Sequence, residues 1–185
     1  MNKSVAILLV LLSFSCANDK QQFSTSKDIA KMEVQKTTSI TNNVTTITDE
    51  LYTLQFKIEK TKKNQHNLVI DMKLHKGSSF ISPFEIKEFK GKFYMNLGSY
   101  KDLSFDGNII ETPRAVARYD GFEDASIIWV KENTKYMQPL NILSEDDFEV
   151  FGRLKFTIEP RCSLEEIPFA ISYIDGKMTF FEPKC

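Results

Sequence analysis

Apolar and polar residues alternate one for one in several stretches of this chain, and no long amphipathic helix appears anywhere. From Leu51 to Lys60, Tyr52, Leu54, Phe56 and Ile58 alternate with Thr53, Gln55, Lys57 and Glu59. A period of two marks a strand with one buried and one wet face. The polar run from Thr61 to His66 turns the chain, and Leu68, Ile70, Met72 and Leu74 repeat the pattern, which predicts a hairpin. Shorter strands are expected over 84–87, 92–97, 109–112 and 126–130, punctuated by Gly77, Pro83, Gly91, Gly98, Gly107 and Pro113. Ser144, followed by three acids, predicts a capped helical turn. Further on, Val150, Leu154, Phe156 and Ile158 face one way, with Arg153, Lys155, Thr157 and Glu159 opposite. Asp175-Gly176 then separates 168–174 from 177–181, a two-residue hairpin signal. In that register Tyr173 faces Met178 and Ile171 faces Phe180, and with Phe169 they form one apolar face. The expected class is all-β, and the strand spacing points to an antiparallel β-sandwich.

The N-terminus follows different rules. Lys3 is followed by the unbroken apolar run Val5–Leu12 and by Ser13-Phe14-Ser15, the order of a secretory signal peptide over residues 1–15. A run of this length covers about 12 Å of helix, far short of a bilayer core of ~30 Å. From Ala17 to Thr48 the chain is polar and rich in Lys, Gln, Ser, Thr and Asn. Residues 16–49 are therefore expected to form a tether, with a weak strand over Ile40–Ile47, and residues 50–185 the folded domain.

Composition adds a limit and a puzzle. With 24 Lys+Arg against 25 Asp+Glu the net charge is −1, which argues against a broad affinity for nucleic acid or for an anionic membrane surface. The puzzle is the count of 3 Cys, since an exported protein with an odd number leaves one thiol unpaired. Setting Cys16 apart leaves Cys162 and Cys185 free to pair in an oxidising compartment, as a structural disulfide or a redox-active pair, or to stand as free thiols. If they pair, closing that loop is worth roughly 3.5 kcal/mol by chain entropy.

The segment Leu-Leu-Ser-Phe-Ser-Cys, 11–16, resembles a lipoprotein signal peptide of Bacteroidetes-type bacteria. Ser13 stands where that family usually has an aliphatic residue, and Leu12 lies one place further back. The resemblance implies a lipidated Cys16, attachment to the membrane through acyl chains, and a cell-envelope location as an outer-membrane lipoprotein facing the periplasm or the surface.

Candidate chemistry is sparse. His66 and His75 have no second ligand at metal spacing, and no nucleophile elbow or phosphate loop is present, so neither metal, cofactor nor catalytic residue is expected. Asp120–Asp124 lacks the spacing of a calcium loop and reads as a solvated loop. Lysines 87, 90, 92 and 101 are interleaved with Phe89, Phe93, Tyr94 and Tyr100, as in alternating strands, and Trp129 is expected in the core.

The stretch from Asn67 to Cys185, in particular 150–162 (VFGRLKFTIEPRC) with Pro168 beyond, resembles the N-terminal periplasmic domain of thiol:disulfide interchange reductases. That resemblance implies an immunoglobulin-like sandwich. The family exchanges electrons through two cysteines, of which Cys162 matches the first, while Ile167 and Pro168 occupy the place of the second. The implied function is a non-catalytic module that binds or scaffolds a cell-envelope protein. Two alternatives remain. One is a thiol-disulfide accessory using Cys162, which needs a lowered thiol pKa, helped by Arg161 and opposed by Glu165 and Glu166. The other is a glycan-binding module using Tyr94 and Tyr100.

Overall fold

The computed structural model describes residues 36–41, 43–62, 65–117 and 127–183. The described residues form strands and no helix, and the expected all-β antiparallel sandwich is the observed class. In the larger sheet β1 (Thr37–Thr41), β2 (Val44–Thr48), β3 (Tyr52–Lys62), β4 (Gln65–Leu74) and β10 (Thr134–Ile142) lie side by side. The far edge of β10 is shared by β7 (Leu103–Phe105), against its C-terminal end, and β8 (Ile110–Thr112), against its middle. The smaller sheet has the order β13 (Lys177–Phe181), β12 (Ser163–Ile174), β11 (Phe148–Ile158), β6 (Tyr94–Leu97). A short ribbon pairs β5 (Phe80–Ile81) with β9 (Trp129–Val130).

The sheets hold together through the residues that the alternation turns inward. Tyr52, Leu54 and Phe56 of β3 and Leu68, Ile70 and Met72 of β4 are fully buried, opposite Val150, Leu154, Phe156 and Ile158 of β11. Aromatic rings carry most of the contact between layers. Tyr52 meets Phe156 edge-on at 5.1 Å, and Phe56 stacks on Phe180 at 4.4 Å. Phe93, between the layers, stacks on Tyr136 of β10 at 4.1 Å, and Phe80 touches Phe93, Tyr136 and Phe156. Each such pair adds about 0.5–1.5 kcal/mol beyond the area it buries. One flank of the sandwich is closed by side chains: Thr45 donates to the carbonyl of Phe180 at 3.2 Å, and Thr38 to Glu182 at 2.5 Å.

The two hairpins legible from alternation are present. β3 pairs with β4, and the Asp175-Gly176 turn sets Tyr173 opposite Met178 and Ile171 opposite Phe180. Elsewhere the structure departs from expectation. Among the described residues the sheet starts at Thr37: the weak strand expected over Ile40–Ile47 is a hairpin, β1 and β2, within residues read as the end of the tether, and β2 is tied in by the buried Thr45 and Ile47. Residues 84–87 form no strand. The chain turns there because the Glu85 carboxylate takes the Lys87 amide, and the strand lies earlier at Phe80–Ile81. His66 is not in the hairpin turn but in β4, buried, with its Nδ1 unpartnered; burial, and then Lys60, lowers its pKa. Ser144 accepts the Asp146 amide in a bend that does not continue as a helical turn.

Gly152 in β11 illustrates how tightly the smaller sheet is filled. A Cβ there would lie 2.3 Å from the Phe169 ring and 2.5 Å from the Asn96 carbonyl oxygen of β6. Gly152→Ala is expected to lower stability by about 1–3 kcal/mol through overpacking. Phe156→Ala, which empties the contact between layers, should cost about 3–5 kcal/mol. Both are read from urea unfolding midpoints, and a Phe156→Ala change within about 0.5 kcal/mol of wild type would mean the ring does not fill this core.

Candidate functional site

A charge already satisfied inside the protein is not free to meet a ligand, so the paired groups come first. At one end of the sandwich Asp49, Arg161 and Glu165 converge with Tyr52, Ser163 and Lys36. The Arg161 guanidinium forks onto both Asp49 oxygens at 3.2 Å and reaches Glu165 at 2.9 Å. Its Nε donates to Ser163 at 2.8 Å, and the Ser163 hydroxyl donates to Glu165 at 2.8 Å. The second Glu165 oxygen receives Tyr52 at 2.9 Å and Lys36 at 2.6 Å. Burial alone would raise the Glu165 pKa, but Lys36, Ser163 and Tyr52 outweigh it and hold the carboxyl at about 2. The same burial, with the Glu165 charge and hydrogen bond, pushes the Tyr52 hydroxyl far up. This cluster has two acids and two bases and joins the residue before β1 to β3, β12 and the turns beside them, so its charges are satisfied within the fold and it acts as a latch.

A second buried carboxylate builds a cleft. Glu111 of β8 is 6% exposed and accepts from three neutral donors: Tyr136 at 2.8 Å, Ser82 at 2.9 Å and the Ala115 amide at 2.8 Å. The last bond pins the segment 113–116 that follows β8. The facing segment, 127–132, is pinned in turn by Glu85, which accepts the Ile128 amide at 2.8 Å and the Lys87 amide at 2.9 Å. Burial would raise the Glu85 pKa, but the amides of Lys87, Ile128 and Ile86 outweigh it and keep the carboxyl below the usual range. Between these walls lies a cleft of about 410 Å³. Its apolar lining includes Ala115, Val116, Ile127 and the half-buried ring of Trp129; its charged lining is Arg114, Lys131 and Glu132. The Arg114 guanidinium lies 4.3 Å over the Phe84 ring, and neither Arg114 nor Lys131 has an ion-pair partner among the described residues.

The residues singled out from sequence fall as follows. Cys16, Cys185 and the Asp120–Asp124 run lie outside the described residues. Cys162 is an exposed thiol in the turn between β11 and β12, with a left-handed backbone (φ 53°). It donates to Glu159 at 3.0 Å, and that hydrogen bond and charge raise its pKa, opposite to what thiol exchange needs. Arg161 points away from it, into the latch. Tyr94, exposed, and Tyr100, half-buried, line one shallow groove between β6 and β7. His75 bonds Thr53 at 2.9 Å, and among the described residues no group of His, Cys, Asp and Glu could hold a metal ion. Trp129 is not a core residue as expected, because the two-residue β9 leaves its ring in the cleft wall while Val130 points inward. Sequence reasoning missed Glu111, Glu85 and Arg114. The available signal was inverted polarity in β8, where Ile110 and Thr112 are exposed and the glutamate between them is buried.

No family model and no curated protein matches the chain. Among solved structures, the GAE domain of yeast GGA1 shares 9% identity at a TM-score of 0.37, covering 75% of this chain and 97% of that one. The GAE domain of GGA2p from Saccharomyces cerevisiae shares 8% identity at 0.36, covering 81% of this chain and 98% of that one. At TM-scores this low the likenesses carry no argument, and the fold class rests on the chain's own strand pairing.

The latch makes stability depend on pH. The folded pKa of Glu165, about 2, lies below its ordinary 4.5, so its contribution is complete above the ordinary value and is lost as pH falls toward 2. Glu165→Gln should therefore be less stable at neutral pH and lose less stability between about pH 5 and pH 2 than wild type. Thermal midpoints across that range check this; parallel curves for the two proteins would show that Glu165 is not held as described.

Proposed function

We propose that this chain is a lipid-anchored cell-envelope protein whose β-sandwich binds a partner and carries no chemistry of its own. The observation that carries the proposal is the order of segments: Lys3, the apolar run Val5–Leu12, Ser13-Phe14-Ser15, and then Cys16 ahead of a polar stretch and a sandwich. Acylation at Cys16 with several chains, at ~0.8 kcal/mol per buried methylene, gives a stable anchor where one chain is marginal. The sandwich supports a binding role through its two concavities, the pinned cleft beside Trp129 and the groove between β6 and β7. The partner belongs to the cell envelope, on the periplasmic or surface side of the outer membrane. The raised pKa of Cys162 weighs against thiol exchange as the main activity.

Intact mass of the mature protein, taken after acid-quenched thiol trapping in cells, tests this reading. The expected species starts at Cys16, carries acyl mass, and shows Cys162 and Cys185 bridged. Cys16→Ala should abolish the acyl mass and shift the protein out of the membrane fraction. A mature protein without acyl mass, or one that stays membrane-bound as Cys16→Ala, overturns the anchoring. Trappable thiols at Cys162 and Cys185 overturn the bridge.

A further inference from the structure

We propose that the cleft between segments 113–116 and 127–132 is a binding site for an apolar ligand that carries a carboxylate. It rests on the binding-module reading and assigns that role to one site.

Three features carry it. The walls are preorganised from below, since Glu111 holds the Ala115 amide at 2.8 Å and Glu85 holds the Ile128 amide at 2.8 Å. Both acids accept from backbone amides while buried, so the cleft's shape is set without a ligand. Its interior offers apolar surface, with Val116, Ile127 and the Trp129 ring presented together. Its two cations have no ion pair among the described residues. Elsewhere Arg161 and Lys36 are consumed by buried acids, whereas Arg114 and Lys131 line the cleft. The Arg114 guanidinium lies 4.3 Å over the Phe84 ring, and a guanidinium's paired N–H donors match the two oxygens of a carboxylate. Glu132, the one acid among the described lining residues, sets a limit: the cleft suits a ligand with a single negative charge and disfavours a polyanion. The volume of about 410 Å³ suits one or two large apolar side chains or a short acyl chain.

The chain has 1 Trp, so its fluorescence reports on this cleft alone. The full chain is titrated with N-acetyl-leucyl-phenylalanine, with its C-terminal amide, and with octanoate. The expected result is a saturable shift of Trp129 emission to shorter wavelength with a free carboxylate and binding about tenfold weaker or worse for the amide. Arg114→Gln, an exposed change that should leave the melting temperature in place, is expected to abolish the preference for acid over amide. Preference for the dipeptide acid assigns the site to a peptide C-terminus, and preference for octanoate assigns it to a fatty acid; either supports the proposal. Acid and amide binding alike, or no emission change well above about 1 mM of any probe, overturns it. That failure leaves the anchoring untouched, because the mass measurement reads Cys16 and not the cleft.

Discussion

Two carboxylates sealed inside a sandwich impose the constraint from which the rest of this structure follows. An ionised carboxylate taken out of water is tolerated only where donors surround it. Each is met by a buried tyrosine of the larger sheet: the one that serves Glu165 crosses the core to the smaller sheet, and the one that serves Glu111 is its neighbour across the strand pair. Tyr52 of β3 reaches Glu165, and Tyr136 of β10 reaches Glu111. The same two rings pack against Phe156 and Phe93, so the aromatic core and the polar network are one construction. A change at either tyrosine would disturb a buried carboxyl's hydrogen bonds and the layer of rings together.

The two solutions differ in what they leave behind. Around Glu165 the remaining donors are two cations, Lys36 and Arg161, and the Ser163 hydroxyl, and the cluster closes on itself as an ionic latch between the sheets. Around Glu111 the remaining donors are neutral, a serine hydroxyl and a backbone amide, so no cation is consumed. Arg114 and Lys131 therefore stay at the surface beside a cleft that Glu111 helps to shape.

Much of this architecture was legible in the pattern of residues. β3 and β13 alternate cleanly, β4 and β11 do so apart from Val69 and Phe151, and the Asp175-Gly176 turn fixes the last hairpin. β10, the hub that joins β4 to β7 and β8, was not legible. Its inward positions are Thr134, Tyr136, Gln138 and Leu140, only half apolar, and Pro139 interrupts it. The proline is accommodated where its carbonyl, which accepts the Asp106 amide, still serves the sheet. Glu165 lies in phase with the buried Ile167, Phe169 and Ile171, so its burial was written in the alternation, but a charged residue is read as outward by default. The cleft was hidden for a related reason: it depends on acids distant in sequence that hold amides, which leaves no local period.

The most direct test of the account is a double-mutant cycle on Tyr136→Phe and Glu111→Gln, followed by urea unfolding. If the hydroxyl and the carboxylate form one buried unit, the two changes should couple by about 1.5–3 kcal/mol. Additivity within about 0.5 kcal/mol would show that they act separately and contradict the central place given to the buried carboxylates.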